Sequence, residues 1–160
     1  MRNPDNGDNM FYVYEMVYQG GSIDAPDLNM VPFNDRLYPQ YERIYNECFY
    51  NMRKALNVTP FNFYSDIRQL SSKKDNLFLL LKNGLIIGGV GCFDSEIDDL
   101  FVNSLCQGRG YGQRLLIWAV NHIRAYSSAP VSLHVAEWNT SALGLYSKTG
   151  FTIRSKQRIG

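Results

Sequence analysis

Between positions 100 and 116 the chain reads Leu-Phe-Val-Asn-Ser-Leu-Cys-Gln-Gly-Arg-Gly-Tyr-Gly-Gln-Arg-Leu-Leu, an apolar run that meets three alternating glycines and leaves with helical spacing. This pattern predicts a strand that turns sharply into a helix. The first turn of a helix exposes N–H groups with no internal partner, and its aligned peptide dipoles leave partial positive charge there. Gly108, Gly110 and Gly112 carry no side chain to keep an anion away from those groups, and they tolerate positive φ. Arg109 adds a mobile cation. A tight connection needs small residues with or without a ligand, so the turn alone leaves a structural role open.

Two familiar phosphate loops do not fit. A nucleotide P-loop needs Lys and then Ser or Thr after the last glycine, where this chain has Gln113 and Arg114. A dinucleotide turn needs G-x-G-x-x-G in the first unit of a doubly wound sheet and an acid about twenty residues on. Here the spacing is G-x-G-x-G, it comes late, and His134 stands in the next strand.

The surrounding pattern predicts one α+β domain over residues 1 to 160, a mostly antiparallel meander that runs into one strand, helix, strand unit. Residues 1 to 9 are polar, with Pro4 and Gly7, and read as a frayed terminus. The N-terminal strands fall within 10 to 33: an aromatic, β-branched strand at 10 to 18 and a short one at 29 to 33 that could pair with it as a hairpin. Leu37, Tyr41, Ile44, Tyr45, Cys48, Phe49, Met52 and Leu56 predict a helix over 35 to 56, with Pro39 in or before its first turn. A shorter helix is expected over 62 to 71. Strands at 77 to 82 and 85 to 93 flank Asn83-Gly84, a hairpin signal, and a strand at 97 to 102 ends at the glycines. Beyond them come a helix to about 126, a strand at 131 to 136, a helix at 140 to 148 capped by Asn139 or Thr140 and closed by Gly150, and a last strand that starts at 151 to 154.

Composition excludes several classes. The 16 Lys and Arg against 15 Asp and Glu leave a net charge of +1, so no global field gathers nucleic acid or an anionic membrane. Cys48, Cys92 and Cys106 form no C-x-x-C unit and cannot all pair, which fits reduced thiols in the cytoplasm. No apolar run is long enough to span a bilayer, and no metal site is expected.

The stretch Gln107-Gly108-Arg109-Gly110-Tyr111-Gly112 resembles the Q/R-x-x-G-x-G/A signature of the GNAT acetyltransferase superfamily. Leu133-His134-Val135, Asn139, Ala142, Leu145-Tyr146 and Gly150-Phe151 are similar to that family's second signature, in the right order. The resemblance covers residues 77 to 154 clearly and 1 to 76 in outline. It implies a three-layer fold, a central mostly antiparallel sheet flanked by helices, with one parallel strand pair at a coenzyme A cleft.

By this resemblance acetyl-coenzyme A is the cosubstrate. The main chain of Gly108 to Gln113, with Gln107, Arg109 and Tyr111, would cradle its diphosphate. Leu100, Phe101 and Val102 would meet the pantetheine arm as it lies against the strand, and a nearby N–H would polarise the acetyl carbonyl, which becomes an oxyanion on attack. Asn139 would bond the arm from the other side, a role compatible with helix capping. Tyr146 would donate a proton to the departing thiolate, and a buried aromatic with a satisfied hydroxyl is the plainer alternative. The family often has a proline where this chain has Asn103-Ser104-Leu105-Cys106, which bears on loop rigidity. It also normally adds a seventh strand. Here that strand could be short, absent, supplied by a partner in a homodimer, or provided by segment 10 to 18.

An amine acceptor arrives protonated, because a lysine-like group has a pKa near 10.4. Glu96, Asp98 and Asp99 surround the strand that leads into the turn. Strict alternation puts Glu96 and Asp98 on the face of Leu100 and Val102, unless a bulge intervenes. Glu96 is the first choice of base, directly or through water, and a solvated strand-end carboxylate is its plainer reading. His134 is the alternative base, and His122 is expected to face solvent. Cys106 precedes the turn with no base beside it, so direct transfer from thioester to amine through a tetrahedral intermediate is expected, without an acyl-enzyme. Two other classes compete: a regulatory module that binds coenzyme A without turnover, and an unrelated domain whose glycine turn is structural. The acceptor, a small molecule, peptide or protein terminus, would sit against residues 33 to 76, whose many rings suggest an aromatic or apolar partner.

Overall fold

Among residues 10 to 159, which the computed structural model describes, the elements run β1 (Phe11–Tyr18), β2 (Met30–Pro32), α1 (Tyr38–Ala55), β3 (Leu77–Lys82), β4 (Leu85–Phe93), β5 (Glu96–Val102), α2 (Tyr111–Tyr126), β6 (Ser132–Ala136), α3 (Thr140–Thr149) and β7 (Phe151–Ile159). The frayed start expected for residues 1 to 9 lies outside the described residues. One sheet has the order β2-β3-β4-β5-β6-β1-β7, antiparallel throughout except where β5 and β6 run parallel.

The local signals explain most elements. Asn83 and Gly84 take φ of 52° and 78°, the left-handed pair that closes a two-residue hairpin between β3 and β4. The stripe of α1 buries Tyr41 and Ile44 against Leu77, Leu79, Ile86 and Phe101 on one side of the sheet. On the other, Leu116, Ala119, Val120 and Ile123 of α2 pack with Met16, Val90, Ile97, Leu133 and Phe151. Asn139, whose side-chain oxygen accepts from the Ala142 amide, and Gly150 at φ 121° bound α3 as expected.

Three expectations are corrected. β1 does not form a hairpin with β2, which pairs with β3 instead. It lies between β6 and β7, antiparallel to both, so segment 10 to 18 completes the sheet beside the C-terminal strand. Met16, Val17 and Tyr18 are consecutive and buried, the pattern of a strand covered on both faces, which an edge position would not satisfy. The connection over 19 to 29 crosses the α2 side, where Ile23 packs on the core and Arg124 donates to the carbonyls of Gly20 and Gly21. The last strand starts at 151 to 154 as expected, and pairing with β1 carries it to Ile159.

The helix expected over 62 to 71 is a single 3-10 turn, Ile67–Leu70, with a capping box between Asp66 and Gln69. Asn46 of α1 bonds both the amide and the carbonyl of Tyr64, at 2.9 and 2.8 Å, and so occupies backbone groups that a longer helix would need. The tyrosine ring is held in the aromatic core by that clamp. His122 is likewise not turned to solvent. Its ring stacks on Trp118 at 4.7 Å and meets Phe78 at 4.6 Å, and burial lowers its pKa.

Candidate active site

The site begins with a bulge. Gly91 pairs with Asp98 and Gly89 with Phe101, so Asp99 and Leu100 together oppose one residue, Val90. Asp99 absorbs the extra residue at φ 53°. Alternation is thereby shifted: Ile97 and Leu100 both pack on the α2 side, while Phe101 packs on the α1 side. Glu96 and Asp98 therefore share a face with Phe101, not with Leu100 and Val102 as strict alternation implied. Gly89 makes room for this, since a Cβ there would lie 2.7 Å from the Phe101 ring.

Beyond the bulge the parallel strands part. β5 and β6 pair at Glu96 with Ser132 and at Ile97 with Leu133, and no pairing continues from Asp98 to Val102. A cleft of about 840 Å³ opens in the gap, floored by Asp98 to Val102 and walled by α1, the glycine turn and α3.

Asn103 fixes the turn in the absence of a proline. Its amide donates to the Ile87 carbonyl at 2.8 Å, its buried side chain donates to the Ile86 carbonyl at 2.9 Å, and its side-chain oxygen accepts from the Leu105 amide at 3.1 Å. Gly108 and Gly110 follow in the left-handed region, at φ 78° and 82°, with open space where a Cβ would stand. No side chain caps the start of α2. The amides of that first turn are left open toward the cleft, and a diphosphate fits such a nest. Gly112 serves packing, because its Cβ position lies 3.4 Å from Leu145 of α3.

Leu100, Phe101, Val102, Gln107, Gly108, Gly110, Tyr111, Gly112, Gln113, Asn139 and Tyr146 all line the cleft. Arg109 is exposed on the turn beside it, and Glu96 stands behind the lining. The Val102 carbonyl accepts from the Cys48 thiol at 3.2 Å and from Gln107 Nε2 at 3.3 Å. The Tyr146 hydroxyl makes no hydrogen bond among the described residues, and burial, with the Asp98 charge adding, pushes its pKa up to about 12.

Sequence reasoning missed the connections among the acidic groups. His134 lines the cleft with Nδ1 2.6 Å from Glu96 Oε1 and Nε2 3.5 Å from Glu15 Oε2, and Arg154 pairs with Glu15 in turn. Glu15, an acid inside an aromatic strand, was the available signal, but its partners come from β6 and β7. Asp99 accepts from the Tyr45 hydroxyl at 3.0 Å and lies 3.4 Å from Lys73 Nζ. Asp98 makes no ion pair among the described residues; its side chain accepts from the Asp99 amide at 2.8 Å. A recessed position, and then the Asp99 charge, raise its pKa. Burial pushes the thiols of Cys48 and Cys92 up to about 11 and about 12, unsuited to nucleophilic work. Among the described residues no three His, Cys, Asp or Glu are grouped to hold a metal, and no helix is long and apolar enough to cross a membrane.

Comparison with known proteins converges on one group. Residues 38–151 match the sequence model described as the acetyltransferase (GNAT) family. A mycothiol acetyltransferase of Corynebacterium glutamicum is 35% identical over 86 residues, which is 50% of this chain and 30% of that protein. One from Streptosporangium roseum is 48% identical over 46 residues, 29% of this chain and 14% of that protein. The chain thus spans less than a third of the length of these curated relatives. Among solved structures, a GNAT acetyltransferase of Colwellia psychrerythraea superposes with a TM-score of 0.69 at 13% identity, covering 96% of this chain and 57% of that one. One from Novosphingobium aromaticivorans gives 0.67 at 17% identity, covering 93% and 62%. At such identities these likenesses bear on the fold alone.

Proposed function

Because the chain belongs to the acetyltransferase (GNAT) family, we propose that it moves an acetyl group from acetyl-coenzyme A to a primary amine in the cleft where β5 parts from β6. The observation that carries this reading is the coincidence, in one cavity, of the uncapped left-handed glycine turn, the splayed strand edge and the free Tyr146 hydroxyl.

In this reading the amides from Gly108 to Gln113 hold the diphosphate, with Gln107, Arg109 and Tyr111 around it, and Leu100, Phe101, Val102 and Asn139 border the arm. When bound, acetyl-coenzyme A supplies the activated acyl carbon and a thiolate leaving group. The ammonium of the acceptor loses its proton to the Glu96 and His134 pair, in which His134 is the member that reaches the cleft. Tyr146 faces the leaving sulfur. Its pKa of about 12 keeps the phenol protonated in the physiological range. Full transfer to a thiolate whose thiol lies near 8.5 would be uphill by on the order of 5 kcal/mol, so a hydrogen bond to the sulfur carries most of the stabilisation.

A coenzyme A module without turnover is the competing reading, and the unpartnered Tyr146 hydroxyl in the cleft favours turnover. The unpaired thiols support a cytoplasmic setting. Calorimetry with coenzyme A and thiol release from acetyl-coenzyme A across a panel of amines test the proposal. Heat of binding and amine-dependent release are expected, and absence of both refutes it.

A further inference from the structure

The acceptor end of the cleft has a chemistry of its own. Tyr45, Phe49 and Met52 of α1 and Leu56 just past its end recur at helical spacing and line the cavity. Tyr45 and Phe49 are in ring contact with centroids 4.4 Å apart, and Phe101 closes the same wall 5.8 Å from Tyr45. The floor between this wall and His134 is acidic.

The two carboxylates of that floor differ. Asp99 is 8% exposed and engaged by Tyr45 and Lys73. Asp98 is open to the cleft, bonded through its side chain to a backbone amide and in no ion pair among the described residues. Of the basic side chains that line the cleft, Lys148 belongs to α3, and Arg53 donates to the Pro60 carbonyl and stacks on Phe63. The charged and titratable groups around Asp98 include Asp99, Glu96, Lys73, Tyr41, Tyr64 and Tyr146.

We infer that Asp98 anchors the ammonium of the acceptor and that the acceptor is a small primary amine carried on an apolar, preferably aromatic, arm that lies along Tyr45, Phe49 and Phe101. This rests on the transferase reading. Lys73 is taken up by Asp99, and the Asp98 carboxylate, which makes no ion pair of its own, attracts a cation and repels an anion at the same position. A carboxylate next to the amine, as in an amino acid, would meet that repulsion. A hydroxyl-rich arm, as in an amino sugar, would bury polar groups against rings and methyl groups without partners. An aralkylamine satisfies both halves, with its ring stacked on aromatic edges and its cation on Asp98.

Thiol release is measured with phenethylamine, with phenylalanine and with glucosamine. The kcat/KM for phenethylamine is expected to exceed both others by at least ~10-fold, the scale set by one unfavourable charge or one unpaired polar group. Asp98→Asn should raise KM for phenethylamine by roughly 10-fold while coenzyme A affinity by calorimetry stays unchanged, and Asp98→Glu should recover part of the loss. Preference for phenylalanine or glucosamine, an unchanged KM in Asp98→Asn, or coenzyme A binding with no turnover of phenethylamine each overturns the acceptor assignment alone. Failure to bind coenzyme A overturns the transferase reading with it.

Discussion

His134 and Glu96 are joined across the parallel strand pair, with the imidazole Nδ1 2.6 Å from the carboxylate Oε1. An ionised carboxylate only accepts, so this contact favours the hydrogen on Nδ1, and Nε2 lies 3.5 Å from Glu15 Oε2. Both ring nitrogens thus lie beside carboxylates. His134→Ala is expected to lower kcat by ~10² or more, the usual scale for a positioned base. Glu96→Gln keeps the ring in place but removes a charge, and a smaller fall is expected. Steady-state kinetics on both variants checks the order.

Tyr146→Phe removes the hydroxyl and leaves a ring that still packs 6.2 Å from Phe151. A loss in kcat of about 10²-fold, with coenzyme A affinity by calorimetry unchanged, is expected if the hydroxyl acts on the leaving thiolate. Its pKa near 12 also predicts no fall in rate from its ionisation up to about pH 10.

Gly110 sits at φ 82° with open space around its Cβ position, so Gly110→Ala costs backbone strain without a clash. A destabilisation of about 1 kcal/mol in denaturant melts is expected, less for Gly110→Asn, whose side chain tolerates the left-handed region. Weaker coenzyme A binding should accompany both, since the added atoms crowd the turn.

Asn103→Ala leaves the Ile86 carbonyl and the Leu105 amide without their partner. A loss of roughly 2 kcal/mol in stability is expected, with reduced coenzyme A affinity because the turn loses its anchor. Thermal melts and calorimetry on one preparation separate the two effects.

Cys92 has a folded pKa near 12 against an ordinary value of 9.0, because burial disfavours its thiolate. Between those values the unfolded chain has released the proton and the folded chain has kept it, so stability present below pH 9 is lost as pH rises toward 12. Urea melts at stepwise higher pH should show this fall. Cys92→Ala should flatten the slope above pH 9.

Local signals carried much of this molecule. Asn83-Gly84, the glycines at 108 and 110 and the stripe of α1 each act within a few residues, and each forms the element that its spacing implied. What failed, failed for a shared reason. The β1 pairing, the face of Glu96 and the environment of His122 depend on residues far along the chain: Glu15 finds His134, Tyr45 finds Asp99, and His122 finds Phe78.

The order of residues alone determined a strand that bends into a helix through left-handed glycines, because backbone sterics are local properties. Only the tertiary structure decided that β1 enters between β6 and β7, and that a bulge at Asp99 turns Asp98 and Glu96 toward α1. Those outcomes follow from which strand best buries Met16, Val17 and Tyr18 and from the one extra residue that β5 holds against Val90. Both are settled by packing between distant segments, and no window of neighbouring residues contains it.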